Sequence, residues 1–162
     1  VSVDDFAKAG FTGPLAGLNF QRHWEKAAYE LGGGRYFAPA QTIADYLAGR
    51  LTTKPGDSTY RPGLAHVDLN RLFPAAITQA LKEALVAFDR KMKGFISKDA
   101  LLIGIEARTS SPVRITRNDA LQSVSMPGLY PAGEGCGYAG GIVSSGVDGI
   151  RIAEQICREL TA

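Results

Sequence analysis

Between residues 128 and 142 the chain reads Gly128-Leu129-Tyr130-Pro131-Ala132-Gly133-Glu134-Gly135-Cys136-Gly137-Tyr138-Ala139-Gly140-Gly141-Ile142. The order is that of a strand, a glycine-rich turn and a helix start. Glycine at 133, 135, 137, 140 and 141 lets backbone approach a ligand with no Cβ in the way, and the turn delivers that ligand to the amide end of a helix. Glu134, inside the turn, can accept hydrogen bonds from ligand hydroxyls. Gly135-Cys136-Gly137-Tyr138-Ala139-Gly140 formally satisfies the G-x-G-x-x-G dinucleotide fingerprint. The context is wrong, because that unit needs a second strand and an acidic residue roughly 20 positions on. Here a helix occupies the residues up to Leu160-Thr161-Ala162.

Other chemistries find little support. His23 and His66 are the only histidines and stand far apart, and no C-x-x-C pair exists, so metal binding is not expected. No Ser-His-Asp arrangement or carboxylate pair suggests hydrolysis, and no catalytic acid or base can be named. Cys136 and Cys157 lie at opposite ends of one helix, roughly 30 Å apart at helical rise, too far for a disulfide. That fits a reducing, cytoplasmic setting.

The turn also resembles a known family. Leu129-Tyr130-Pro131-Ala132-Gly133-Glu134-Gly135 with Gly137-Tyr138-Ala139-Gly140-Gly141-Ile142 is similar to the C-terminal signature of bacterial FAD-dependent dehydrogenases of the glutathione-reductase-like superfamily. Glu106-Ala107-Arg108-Thr109-Ser110-Ser111-Pro112-Val113-Arg114-Ile115, Asp148-Gly149-Ile150, Gly32-Gly33-Gly34-Arg35-Tyr36, Pro39-Ala40-Gln41 and residues 88–95 extend the likeness over nearly the whole chain. The resemblance implies that Glu134 bonds the flavin ribityl hydroxyls and that the helix from Tyr138 points at the isoalloxazine. Gly133, Gly135, Gly137, Tyr138, Ala139, Gly140, Gly141 and Ile142 would complete the cofactor contacts. Arg108, Thr109, Ser110, Ser111 and Arg114 would face the flavin or an anionic substrate. Cys136 stands where the family commonly has a small residue.

The elements that must position these residues can be read from periodicity. Phe20, Trp24, Ala27, Ala28 and Leu31 recur at helical spacing before Gly32. A second helix is expected over Pro39–Leu47, a loop over 52–62, a short turn capped by Asp68, and a long helix from Pro74 to about Met92. The long helix should bury Ile77, Leu81, Ala84, Leu85, Phe88 and Met92. Strands are expected at 101–106, 113–117 and 128–132. The final helix, 142–160, should turn Ile142, Val143, Gly146, Val147, Ile150, Ala153, Ile156 and Leu160 inward.

The expected class is therefore α/β, or α+β for the isolated chain, with a helix-rich substrate or cap portion over residues 1–94. Strands and a C-terminal strand-turn-helix of an FAD domain follow over 95–162. The glycine-rich unit that would hold the ADP half of FAD is missing from residues 1–127, so the chain reads as the C-terminal part of a longer flavoprotein. On this reading the parent is an FAD-dependent oxidoreductase and the isolated chain is inactive, without FAD of its own. A non-catalytic binding or assembly domain that has lost its cofactor is the alternative, and flavin-dependent modification of nucleic acid is a third. With 45% hydrophobic residues the 162-residue chain can form a core. Eighteen basic and sixteen acidic residues give a net charge of +2, too balanced to argue for nucleic acid. No apolar run approaches the ~20 residues that cross a bilayer. Expected partners are FAD, a small-molecule substrate and the rest of the FAD domain, with self-association through the apolar surface that domain would otherwise cover.

Overall fold

The computed structural model describes residues 2–53, 56–108 and 110–161. Among them the chain forms an α/β fold with α1 (Val3–Lys8), α2 (Ala16–Leu31), β1 (Ala38–Thr42), α3 (Ile43–Ala48), β2 (Leu64–His66), α4 (Ala75–Lys91), β3 (Leu101–Ile103) and α5 (Ile142–Thr161). A 3-10 turn at Leu69–Arg71 is capped by Asp68, whose side chain accepts from the Asn70 N–H. Two compact units emerge, Val1–Gln21 with Arg108–Ala162, and Arg22–Ala107.

The second unit is built on a three-stranded mixed sheet in the order β2-β1-β3. β1 runs parallel to β2, with Ala38 opposite Leu64 and Ala40 opposite His66, and antiparallel to β3, with Ala40 opposite Ile103 and Thr42 opposite Leu101. As the central strand, β1 is buried at all five positions. The helix expected over Pro39–Leu47 is thus corrected to a strand followed by a helix. Pro39 lies opposite Ala65 of β2, and on the β3 side its carbonyl accepts the Gly104 N–H at 2.9 Å just past the last strand partner, so its missing N–H leaves out a single bond at the end of that pairing.

Thr42 marks the change from strand to helix. Its hydroxyl accepts from the Asp45 N–H at 3.2 Å, while its own N–H donates to Thr52 Oγ1 at 2.9 Å. Gly49, at φ 65°, closes α3. Beneath, Ala28, Ile43, Tyr46, Leu69, Leu72 and Leu85 form the core. Gln41 is fully buried among them and satisfied at both ends, donating to the Arg50 carbonyl at 2.6 Å and accepting from the Leu69 N–H at 2.8 Å. α4 buries Thr78 and Leu85 and holds Lys82 over the Tyr46 ring, whereas Leu81, Phe88 and Met92 of the expected inner face are exposed.

In the first unit Phe6 and Phe11 pack on Phe20 of α2, with ring centroids 5.1 and 5.8 Å away. Two expected strands do not form here. Residues 113–117 contribute one bridge, Arg117 to Ser123, because Ile115 donates its N–H to the Cys136 carbonyl in the turn. Residues 128–132 pair with no described strand, and Leu129 is exposed.

α5 reverses the expected burial. Asp148 and Ile152 are its buried residues, while Ile142, Val143, Val147, Ile150 and Leu160 face outward, Ile142 at 95% and Val143 at 79% exposure. A helix apolar on both sides has one face with no described partner.

Candidate functional site

Two kinds of glycine build the turn. Gly133 (φ +66°) and Gly137 (φ +81°) have backbone conformations that L side chains rarely adopt. A Cβ on Gly137 would also stand 2.6 Å from the Val113 carbonyl oxygen. Gly135, Gly140 and Gly141 need no such conformation, and a Cβ would meet nothing within 4 Å at Gly135, only Ser110 Oγ at 3.8 Å at Gly140 and only Ser144 Oγ at 3.6 Å at Gly141. The first two shape the chain; the other three keep space clear.

The turn is closed by Gly137 N–H to the Glu134 carbonyl at 2.9 Å and Tyr138 N–H to the Gly133 carbonyl at 3.1 Å. Ser111 secures the upstream segment to it, with Oγ 2.8 Å from the Val113 carbonyl and 3.2 Å from that of Gly135. An open cleft of about 240 Å³ results, lined by Gln21, Arg108, Ser110, Ser111, Pro112, Glu134 and Gly135. The structure therefore brings Arg108, Ser110 and Ser111 beside Glu134, although more than 20 residues separate them in sequence. Thr109 lies outside the described residues.

Arg114 and Tyr138 are placed elsewhere. Arg114 donates from Nε to the Gly137 carbonyl at 3.0 Å and lies 5.0 Å from the Tyr138 ring centroid. The Arg117 guanidinium sits over the same ring at 3.8 Å, and the Tyr138 hydroxyl accepts from the Arg117 N–H at 3.0 Å. Tyr138 is thus engaged by the protein at both ring and hydroxyl. Ala139 and Ile142 follow at the helix entrance, Ile142 fully exposed to solvent.

One pair escaped the sequence reading. Arg117 binds Asp148 through Nη1 to Oδ2 at 3.0 Å and Nη2 to Oδ1 at 2.7 Å, with side chains only 11% and 9% exposed. Asp148 Oδ2 also accepts the Gly133 N–H at 2.8 Å, and Arg117 Nη1 donates to the Pro131 carbonyl at 2.8 Å. The hydrogen bond from Arg117 holds the Asp148 carboxyl below its ordinary value against the opposing effect of burial, and the Gly133 N–H adds to the lowering. The same bond raises Arg117. The sequence signal was an aspartate within the apolar run of α5, where an unpaired charge could not be buried.

Cys136 is half-buried and Cys157 exposed, both as free thiols. Among the described residues no group of three or more His, Cys, Asp or Glu side chains could hold a metal ion, and no helix is long and apolar enough to cross a membrane.

Comparison with known proteins supplies a context. A relative from Clostridium beijerinckii, described only as an uncharacterized protein, is 48% identical over 158 residues. The alignment takes in 96% of this chain and 29% of the relative, so the chain spans under a third of that protein's length. A family profile described as "FAD-dependent protein, C-terminal domain-like" matches residues 1–109, ahead of the glycine turn. By this match the chain belongs to the FAD-dependent protein, C-terminal domain-like family.

Proposed function

We propose that this chain is the C-terminal portion of an FAD-dependent oxidoreductase and that the turn from Gly133 to Gly141 is where it meets the flavin. The observation that carries the reading is the cleft in which Arg108, Ser110 and Ser111 stand beside Glu134 and the unobstructed Gly135. Space at Gly135 that a Cβ could fill without a clash, at a φ that does not call for glycine, is what a bound ligand would require. Glu134 offers carboxylate oxygens to ribityl hydroxyls, and Ser110 and Arg108 offer donors to carbonyl or phosphate oxygens. When bound, the flavin supplies the redox chemistry while the protein orients it.

In this proposal residues 1–94 contribute to a substrate or cap region and 95–162 to the FAD domain. The rest of that domain, including the ADP-binding part, lies in the remainder of a longer polypeptide working in a reducing cytoplasm. The isolated chain is then inactive. The family match supports an FAD-dependent parent, and the relative's greater length supports a longer polypeptide.

A second reading is favoured by the outward apolar face of α5: a binding or assembly domain on a flavoprotein scaffold, without cofactor. The visible absorption spectrum of the complete gene product, beside its Glu134→Ala variant, separates the two. Stoichiometric flavin that is largely lost from the variant supports the proposal. A colourless protein that takes up no added FAD overturns it in favour of the assembly domain.

A further inference from the structure

Neither Arg117 nor Asp148 lines the cleft, yet together they hold both ends of the turn beside it. At the entrance, Arg117 grips the Pro131 carbonyl and Asp148 the Gly133 N–H. At the exit, the Arg117 guanidinium covers the Tyr138 ring and its backbone N–H donates to the Tyr138 hydroxyl. Glu134 and Gly135 are suspended between these fixed points. Three of the four contacts fix backbone or ring position at residues 131, 133 and 138, and the fourth, to the tyrosine hydroxyl, fixes the far end of that side chain.

Stability alone gives a poor account of such a pair. Taking two charges out of water offsets most of their attraction, so a buried ion pair is weak evidence for net stabilisation. What a planar guanidinium fork and a carboxylate add is direction: paired parallel hydrogen bonds permit one relative orientation. That orientation is passed to the turn through the Gly133 amide and the Pro131 carbonyl.

We infer that Arg117 and Asp148 are positioning residues for Glu134, presetting the 133–138 turn in its ligand-binding conformation so that little ordering remains when the flavin binds. The inference rests on the reading of this turn as the flavin site. It assigns no contact with the cofactor to either residue.

The test is a double-mutant cycle for FAD affinity in the complete gene product, made at a temperature where circular dichroism shows every variant folded. Glu134→Ala weakens FAD binding, and Asp148→Asn, nearly isosteric, weakens it by about tenfold, the scale of a lost charge-assisted hydrogen bond. In the Glu134→Ala background the effect of Asp148→Asn shrinks to less than about threefold, because its route to the ligand is gone. A merely structural role leaves the effects multiplicative. Arg117→Lys, which keeps the charge and gives up the fork, takes the place of Asp148→Asn in the cycle if that variant does not fold.

Asp148→Asn binding FAD as the wild type does, or acting with its full effect in the absence of the Glu134 carboxylate, overturns the inference and leaves the flavin site standing. Undiminished FAD affinity in Glu134→Ala removes the site itself, and the inference falls with it.

Discussion

The guanidinium of Arg117 meets the carboxylate of Asp148 edge to edge across 31 residues of sequence, through hydrogen bonds of 3.0 and 2.7 Å. Removing one partner strands the other charge in a site with little water, whereas removing both does not. Asp148→Ala should therefore lower stability by about 3–5 kcal/mol. The combined Arg117→Met and Asp148→Leu change should cost less than Asp148→Ala alone. Urea denaturation of the three proteins checks the order.

The same pair gives stability a dependence on acid. Asp148 titrates below its ordinary 3.8 in the folded protein, chiefly through the Arg117 hydrogen bond, so below that value the unfolded chain binds the proton more readily. Its contribution is complete above about pH 5 and is lost as pH falls through the lower folded value. Urea midpoints followed from neutral to strongly acid pH should fall more steeply for the wild type than for Asp148→Asn.

The two kinds of glycine should separate folding from binding. Gly137→Ala introduces a strained φ and a clash with the Val113 carbonyl, and should cost about 1–3 kcal/mol. Gly135→Ala meets nothing within 4 Å, and its stability should stay within about 0.5 kcal/mol of wild type. FAD affinity should nevertheless drop in Gly135→Ala. Thermal unfolding and flavin titration of both variants decide it.

Gln41 joins β1 to the segments at Arg50 and Leu69 with one side chain. Gln41→Leu keeps the volume but leaves the buried Leu69 N–H without its acceptor, a loss of about 1–3 kcal/mol. A fall in the thermal midpoint is expected with no change in the far-ultraviolet spectrum.

The outward face of α5 should make the 162-residue chain associate with itself. Ile150, at 62% exposure, is central to that face, and Ile150→Lys should reduce association while changing stability by no more than about 0.5 kcal/mol. Light scattering over a concentration series measures the difference.

Much of the helical framework could be read from the residues. α2, α4, α5 and the Asp68 cap follow from spacing and capping chemistry that act within a turn or two of chain. Pro39-Ala40-Gln41 resisted because proline, alanine and glutamine carry little strand preference, and it is pairing with Leu64–His66 and Leu101–Ile103 that makes this segment a strand. The inward face of α5 was misjudged for a related reason. Its longest apolar stripe faces outward, while the face that packs is organised around Asp148 and Ile152. At the candidate site the glycines and Glu134 announce themselves through composition. The placing of Ser110 and Ser111 beside them, and the joining of Arg117 to Asp148, are products of long-range folding that no local spacing rule encodes.

The division of the chain also bears on how the protein is made. One compact unit is continuous in sequence, from Arg22 to Ala107, while the other draws on the first 21 residues and on everything from Arg108 onward. The continuous unit can complete its core as soon as its own residues have been synthesised. The other must wait for α5, and its segment before Arg22 meanwhile carries Phe6 and Phe11 without the rest of the unit. Chaperone binding and proteolytic risk during synthesis should therefore concentrate on the segment around Phe6 and Phe11, far in sequence from the residues whose arrival relieves them.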